Sequence, residues 1–164
     1  MATEMLDIIN ISLLTVDEYE RLYMNIPVIK DPYWLYDEGT YDEYAFAVIT
    51  ENKGANGAKG DIQTVIDVDI NNKFGVRPIL EISNLNETGY KIGDEFKFGD
   101  QIFTIIADNE ERSDHFVALA ISKDIITKMH FDKETNDYNF SHIKEYIDNW
   151  YDKCNYIDLD YGDI

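Results

Sequence analysis

The residue types that carry most enzymatic chemistry are few in this sequence and badly spaced for it. There is one cysteine, Cys154, and there are three histidines, His115, His130 and His142. Cys154 falls on the apolar stripe of a predicted helix. A thiol packs there as a small hydrophobe, whereas a nucleophile needs an electropositive, partly open site. No serine sits in a G-x-S-x-G elbow. The histidines form no H-x-x-x-H or comparably tight ligand pair, although Asp114 precedes His115 and could orient its ring. Residues 67–71, Asp-Val-Asp-Ile-Asn, open like a calcium loop. Asn72 stands where that loop requires glycine, however, and Pro78 where it requires a bidentate glutamate. The glycines of residues 54–60 lack the spacing of a phosphate-cradling loop. The expectation is a protein that is not an enzyme, with no catalytic residue, metal or cofactor.

Two clusters mix carboxylates with tyrosines, and these suit binding. One comprises Asp37, Glu38, Tyr41, Asp42, Glu43 and Tyr44. The other lies at the chain end, where Asp158, Asp160 and Asp163 alternate with Tyr156 and Tyr161. Spaced carboxylates can imitate phosphates towards lysine and arginine, and tyrosine adds flat contact area at low entropic cost. The nine residues Asp37, Glu38, Tyr41, Asp42, Glu43, Tyr44, Asp158, Asp160 and Asp163 are therefore the candidate partner contacts. The competing reading is a solvated loop and a frayed tail. Arg77, one of three arginines, precedes a proline in extended backbone. In so acidic a chain it is expected to pair structurally with a carboxylate.

Net charge supports the binding reading. Fourteen basic residues face 33 acidic ones, a formal charge of −19 over 164 residues. Residues 1–50 hold 10 acids and 2 bases, residues 51–100 hold 9 and 6, and residues 101–164 hold 14 and 6. Such a field repels nucleic acid and anionic membranes and attracts basic surfaces. A single cysteine excludes a disulfide framework within the chain. No apolar run approaches a membrane span, and residues 1–7 do not resemble a signal peptide. A cytoplasmic location in a host cell is expected.

The elements that must position these residues read as one α+β domain, with halves at about residues 1–83 and 91–154 and an acidic tail at 155–164. Its sheet should be mixed but mostly antiparallel, with two main helices. Residues 8–14 read as a strand. Thr15 and Glu18 then form a capping box, with Leu14 stapling against Tyr19, and the helix runs towards Pro27. Strands follow at 33–36, 44–50, 61–69 and 75–83, with a loop at 51–60 and a turn at 71–73. Residues 84–90 connect the halves. A hairpin of 94–98 and 101–107 turns at Gly99 and Asp100, and 116–121 is a strand apolar on both faces. Residues 122–129 read as a short helix. Ser141 caps the second main helix, whose stripe is Ile143, Tyr146, Ile147, Trp150 and Cys154. The end, 155–164, is expected to be frayed or engaged with a partner.

Several short motifs resemble a family. They are residues 11–19 (Ile-Ser-Leu-Leu-Thr-Val-Asp-Glu-Tyr), the Tyr33-Trp34-Leu35 segment, and Gly75-Val76-Arg77-Pro78-Ile79-Leu80. With them go Gly93-Asp94-Glu95-Phe96-Lys97-Phe98-Gly99, Phe103-Thr104-Ile105-Ile106 and Ala118-Leu119-Ala120-Ile121-Ser122. The set resembles an uncharacterised domain of Firmicutes and their phages, in a permuted order that puts the hairpin half second. Tyr36-Asp37-Glu38 departs from that family's Arg-Ser-Pro. The resemblance implies a relation to the C-type-lectin-like and formylglycine-generating-enzyme-like fold. It brings no activity, since fold does not fix function and one cysteine cannot supply the paired-cysteine copper chemistry. Two functions remain. The first is a phage-type acidic inhibitor, anti-CRISPR-like and acting as a nucleic-acid mimic. It would bind a basic host nuclease or other nucleic-acid-binding defence protein, without binding nucleic acid or membrane itself. The alternative is a lectin-like module or phage particle component whose Tyr33, Trp34 and Tyr36 stack on a sugar.

Overall fold

The computed structural model describes residues 5–52 and 61–162, with side chains described except at 52, 61 and 155–162. The expected glycine loop lies, from residue 53 on, outside the described residues, as does Asp163. The fold is α+β, with two α-helices and ten strands among the described residues, in two mostly antiparallel five-stranded sheets. The strands are β1 (Ile8–Ser12), β2 (Tyr33–Glu38), β3 (Tyr44–Asn52), β4 (Asp61–Asp69) and β5 (Phe74–Val76), then β6 (Ile79–Ile82), β7 (Glu95–Phe98), β8 (Gln101–Arg112), β9 (His115–Ser122) and β10 (Thr127–Met129). One sheet has the order β1-β6-β9-β8-β7, the other β10-β5-β2-β3-β4, with β2 and β5 parallel. Strands from both halves of the sequence enter each sheet.

Alternation along the central strands divides the apolar residues between two cores. Trp34, Ala118 and Ala120 join the core that takes Ile143 and Ile147 of helix α2 (His142–Gly162). Tyr33, Leu35, Val117, Leu119 and Ile121 join the core that takes Tyr19 of helix α1 (Val16–Leu22). A period of two thus gives β2 and β9 an apolar partner on each face, as the expected doubly buried strand requires. Helix α1 starts where its capping box predicts. The Thr15 hydroxyl accepts the Glu18 amide at 3.1 Å, and the Thr15 amide donates to Glu18 at 3.0 Å. It closes earlier than expected, in a 3-10 turn, Tyr23–Asn25, ahead of Pro27.

Four expectations need correcting. Residues 75–83 are two strands in different sheets, since the chain crosses from one sheet to the other at Arg77 and Pro78. Arg77 is 1% exposed at that crossing and pairs with no carboxylate among the described residues. Its Nε donates to the Ser122 carbonyl at 2.7 Å, and its Nη2 donates to the carbonyls of Pro27 and Lys123 at 2.8 and 3.2 Å. The Tyr33 ring lies 5.0 Å from the guanidinium carbon. Extended chain that leaves a sheet exposes carbonyls without ladder partners, and the guanidinium fork satisfies three of them. Residues 122–129 form no helix. The Ile126 amide donates to Val76, and Thr127–Met129 pairs antiparallel with β5, so tertiary pairing overrides local propensity. The chain end is not an irregular tail, because the α2 backbone stays helical through Gly162 and carries Asp158 and Asp160.

Two turns set the tertiary geometry. Gly99 has φ +62°, and a Cβ there would stand 2.3 Å from the Cys154 Sγ, so the turn requires glycine twice over. The same approach buries Cys154, at 4% exposure, as expected of a packing thiol. The β8–β9 hairpin closes on Ser113 and Asp114, with φ +50° and +68°, between the paired Arg112 and His115. Two left-handed residues in a two-residue loop match the twist of the strands but strain a side chain with a Cβ. Asp114→Gly should raise stability by about 0.5–1 kcal/mol in urea unfolding, the usual relief of such a position. A loss of stability would show that the Asp114 side chain holds the turn.

Candidate functional site

The acidic loop between β2 and β3 is rigidly built. The Gly39 amide donates to the Tyr44 carbonyl at 2.8 Å and the Tyr44 amide to the Tyr41 carbonyl at 2.9 Å. Asn136, buried, donates from Nδ2 to the carbonyls of Tyr41 and Tyr44 at 3.1 and 3.0 Å. The Thr40 amide donates to Asp67 at 3.0 Å, and the rings of Tyr41 and Tyr44 meet edge-on at 5.9 Å. A loop so held presents Glu38, Tyr41, Asp42 and Glu43 outward, with Tyr41 63% exposed. Among the described residues, no ion pair or side-chain hydrogen bond engages Glu38, Asp42 or Glu43.

Asp37 and Tyr44 differ from their neighbours in the cluster. Both are half-buried, and the Asp37 carboxylate accepts the Val16 amide at 3.1 Å, so it serves the first turn of α1. Burial first, and then the charges of Glu18 and Asp17, push its carboxyl above the ordinary value, although the Val16 bond opposes this. Asp158 and Asp160 lie on the backbone of the last turns of α2. Tyr33 and Trp34, expected as sugar-stacking residues, are 1% and 0% exposed and belong to the two cores. Trp34 donates from its indole nitrogen to the Met129 carbonyl at 2.9 Å. Only Tyr36 of that trio reaches a cavity.

That cavity is a cleft of about 490 Å³ next to the loop. Its floor is an ion cluster that sequence spacing gave no means of seeing. Arg112 binds Glu18 by two prongs, Nε to Oε2 at 2.8 Å and Nη2 to Oε1 at 2.5 Å. Its Nη1 donates to the Ser12 hydroxyl at 2.7 Å and to Glu81 Oε2 at 3.2 Å. Asn10 also donates to Glu81, at 3.1 Å. One guanidinium thus joins β8 to β1, β6 and α1. Burial disfavours the Glu18 charge, but its bonds to Arg112 and Thr15 outweigh that and hold its carboxyl below the ordinary value. Arg21 adds a second tie, to Glu110 at 2.8 Å and to Asp17 at 2.9 Å.

The cleft wall is formed by Tyr36 and Tyr138, whose rings lie 4.9 Å apart, with Lys144 and Asp148 of α2 beyond them. Lys144 is paired with Asp148. Tyr138 opens a 3-10 turn, Tyr138–Phe140, that leads into α2. It is 4% exposed, and its hydroxyl has no hydrogen-bond partner among the described residues. Asn136 and Tyr138, two residues apart, therefore serve the loop and the cleft from one segment. Phe140, 78% exposed, stands beside them.

Folding also joins two histidines that are twelve positions apart in sequence. His130 Nε2 and His142 Nδ1 lie 2.8 Å apart, and His142 Nε2 lies 3.4 Å from Asp132. Asp132 also accepts the His142, Glu134 and Thr135 amides, which anchors the start of α2. Burial first, and then the His142 charge, lower the His130 pKa. Among the described residues, no group of three or more histidine, cysteine or acidic side chains is arranged to hold a metal ion, and no helix is long and apolar enough to cross a membrane. No family model, no curated protein and no solved structure matches this chain.

Two outcomes follow from these clusters. Arg112→Met should cost about 3–5 kcal/mol in urea unfolding, because it leaves the carboxylates of Glu18 and Glu81 buried without their cation. The loss should shrink as pH falls and the unpaired Glu18 takes up a proton; a loss below 1 kcal/mol would show the cluster to be incidental. His130, with a folded pKa below its unfolded value, binds its proton more tightly in the unfolded chain. Its contribution is therefore present above the unfolded value, near 6.5, and declines as pH drops through it. Between pH 7.5 and 5.5 the thermal midpoint should fall more in the native chain than in His130→Gln; parallel curves would contradict this.

Proposed function

We propose that this chain is a non-enzymatic binding protein whose acidic, aromatic face occupies a basic, nucleic-acid-binding surface on a partner protein. One observation carries the reading. A loop held by six hydrogen bonds to and within its backbone, one of them from the Ile70 amide to the Glu43 carbonyl at 2.9 Å, displays an exposed tyrosine and three carboxylates that no ion pair or side-chain hydrogen bond engages among the described residues. Preorganised contacts lose little entropy on docking, and carboxylates fixed in space can take the lysines and arginines that otherwise hold phosphate. The net charge of −19 adds long-range attraction to a basic partner. The partner class favoured is a host nuclease or other nucleic-acid-binding defence protein, which makes the role an anti-CRISPR-like inhibition by nucleic-acid mimicry. The resemblance of the motifs to a phage-borne domain supports that setting. The sugar-binding alternative loses two of its three stacking residues to the cores.

The contact set is correspondingly narrower than the sequence cluster: Glu38, Tyr41, Asp42 and Glu43, with Asp37 serving α1. A tagged protein should capture a nucleic-acid-binding protein from host lysate at low salt and release most of it at roughly 0.5 M, where screening is severe. The captured protein should then lose a labelled oligonucleotide when this chain is added. Glu38→Gln, Asp42→Asn and Glu43→Gln together should abolish capture and competition, while Asp37→Asn retains both. Capture that ignores salt and the triple substitution, or that leaves the oligonucleotide bound, would sink the proposal.

A further inference from the structure

Four strands, β1, β7, β10 and β4, stand at the edges of the two sheets. An edge strand exposes a row of amides and carbonyls that can pair with another chain, and most edges carry some device against this. β1 shifts register between Ile8 and Asn10. β7 is four residues long and carries Lys97, and β10 is three residues long and carries Lys128. β4 has none of these devices. It runs for nine residues, pairs with β3 in unbroken register from Asp61 to Asp69, and contains no lysine, proline or glycine.

Register fixes which backbone groups are open. The Ile70 amide donates to the Glu43 carbonyl at 2.9 Å, and bonded pairs alternate along an antiparallel ladder. Thr64, Ile66 and Val68 therefore bond to β3, opposite Ile49, Ala47 and Ala45. Gln63, Val65 and Asp67 turn their amides and carbonyls away from β3, and among the described residues no hydrogen bond to another segment reaches those groups. The side chains at this edge are partly buried on both faces. Val68 packs against one core and Val65 against the other. A strand added here would extend the ladder and cover both cores.

Charge selects the occupant. β3 and β4 together carry four acids, Glu51, Asp61, Asp67 and Asp69, and no base. A second copy paired about Val65 would set Asp61 against Asp69 and bring a further charge of −19. A basic strand meets opposite charge instead, and most of it lies at one end. Asp67 accepts the Thr40 amide at 3.0 Å and the Ile70 amide holds Glu43, so the acidic loop adjoins the Asp69 end of the strand. We infer that β4 takes an added strand from the basic partner, an extended segment alternating apolar and basic residues whose bases run on to Asp42 and Glu43. This rests on the reading of the chain as a binder of basic proteins and names the backbone contact. Main-chain bonds supply the affinity in strand addition, and flanking side chains supply the selection.

Amide hydrogen exchange on the 15N-labelled full chain tests this without the partner. In the free protein Thr64, Ile66 and Val68 should exchange slowly, and Gln63, Val65 and Asp67 fast. A short capped peptide alternating lysine and valine should then protect Gln63, Val65 and Asp67 saturably. The same peptide N-methylated throughout keeps the charge but cannot complete the ladder, and should bind at least about tenfold more weakly. A glutamate–valine peptide should not bind. Val65→Pro deletes one outward amide and no bond to β3, and should weaken the lysine–valine peptide by about fivefold. Ile62→Lys, at a position 45% exposed, adds the lysine that β7 and β10 carry and should weaken it too, with an unchanged thermal midpoint. Slow exchange of Gln63, Val65 and Asp67 in the free chain would overturn the inference, and sedimentation at twice the monomer mass would then assign the edge to a second copy. Equal binding of the N-methylated or glutamate peptide, full binding by both variants, or protection confined to residues 38–43 would overturn it too. If the peptide adds to β4 but the captured protein keeps its oligonucleotide, the inhibition reading falls and the strand-addition edge stands.

Discussion

The bidentate pair of Arg112 and Glu18 fixes the geometry on which everything else depends. Glu18 closes the capping box of α1 and holds the guanidinium that comes from the far end of β8. Through Ser12 and Glu81 the same guanidinium fastens β1 and β6. Charges so nearly buried are costly unless paired and fully bonded, and here the whole fork is engaged. The result is a helix start, a sheet edge and a hairpin tip locked into one corner. That corner forms the floor of the cleft and fixes the start of α1, which Asp37 also serves.

The proposed binding face is an extension of this corner. β2 leaves it carrying Tyr36 and continues into the acidic loop; the segment around Tyr138 returns to it and enters α2. Asn136 holds the backbone of the displayed carboxylates from the segment that carries Tyr138 to the cleft. In the proposed complex, exposed carboxylates govern encounter and salt dependence. The left-handed hairpin turn at Ser113 and Asp114 is a departure from what stability alone would select, and Ser113 lines the cleft.

What could be read in the sequence was what local chemistry determines. The Thr15–Glu18 box, the Gly99 turn, the burial of Cys154 and the doubly apolar β9 all follow from patterns a few residues long. The exposed acid–tyrosine loop was also visible, because clustered charge with tyrosine rarely packs inside. Distant pairings were not visible. Arg112 and Glu18 stand 94 positions apart, so attention fell on Arg77, whose carbonyl partners appear only once the chain changes sheets. Residues 127–129 form a strand because of β5, which precedes them by about fifty positions. Tyr33 and Trp34 suited a stacking surface as well as a core, and the period-two alternation of β2 put one in each core. Asp37 differs from Glu38 only by one position in a strand, yet that position turns it towards α1.

Backbone hydrogen exchange, measured with and without the partner recovered at low salt, tests the central claim most directly. Protection should rise together in residues 36–44 and 136–140, since Asn136 ties that segment to the loop. Protection confined to one of these segments, or centred on the last turns of α2, would contradict it.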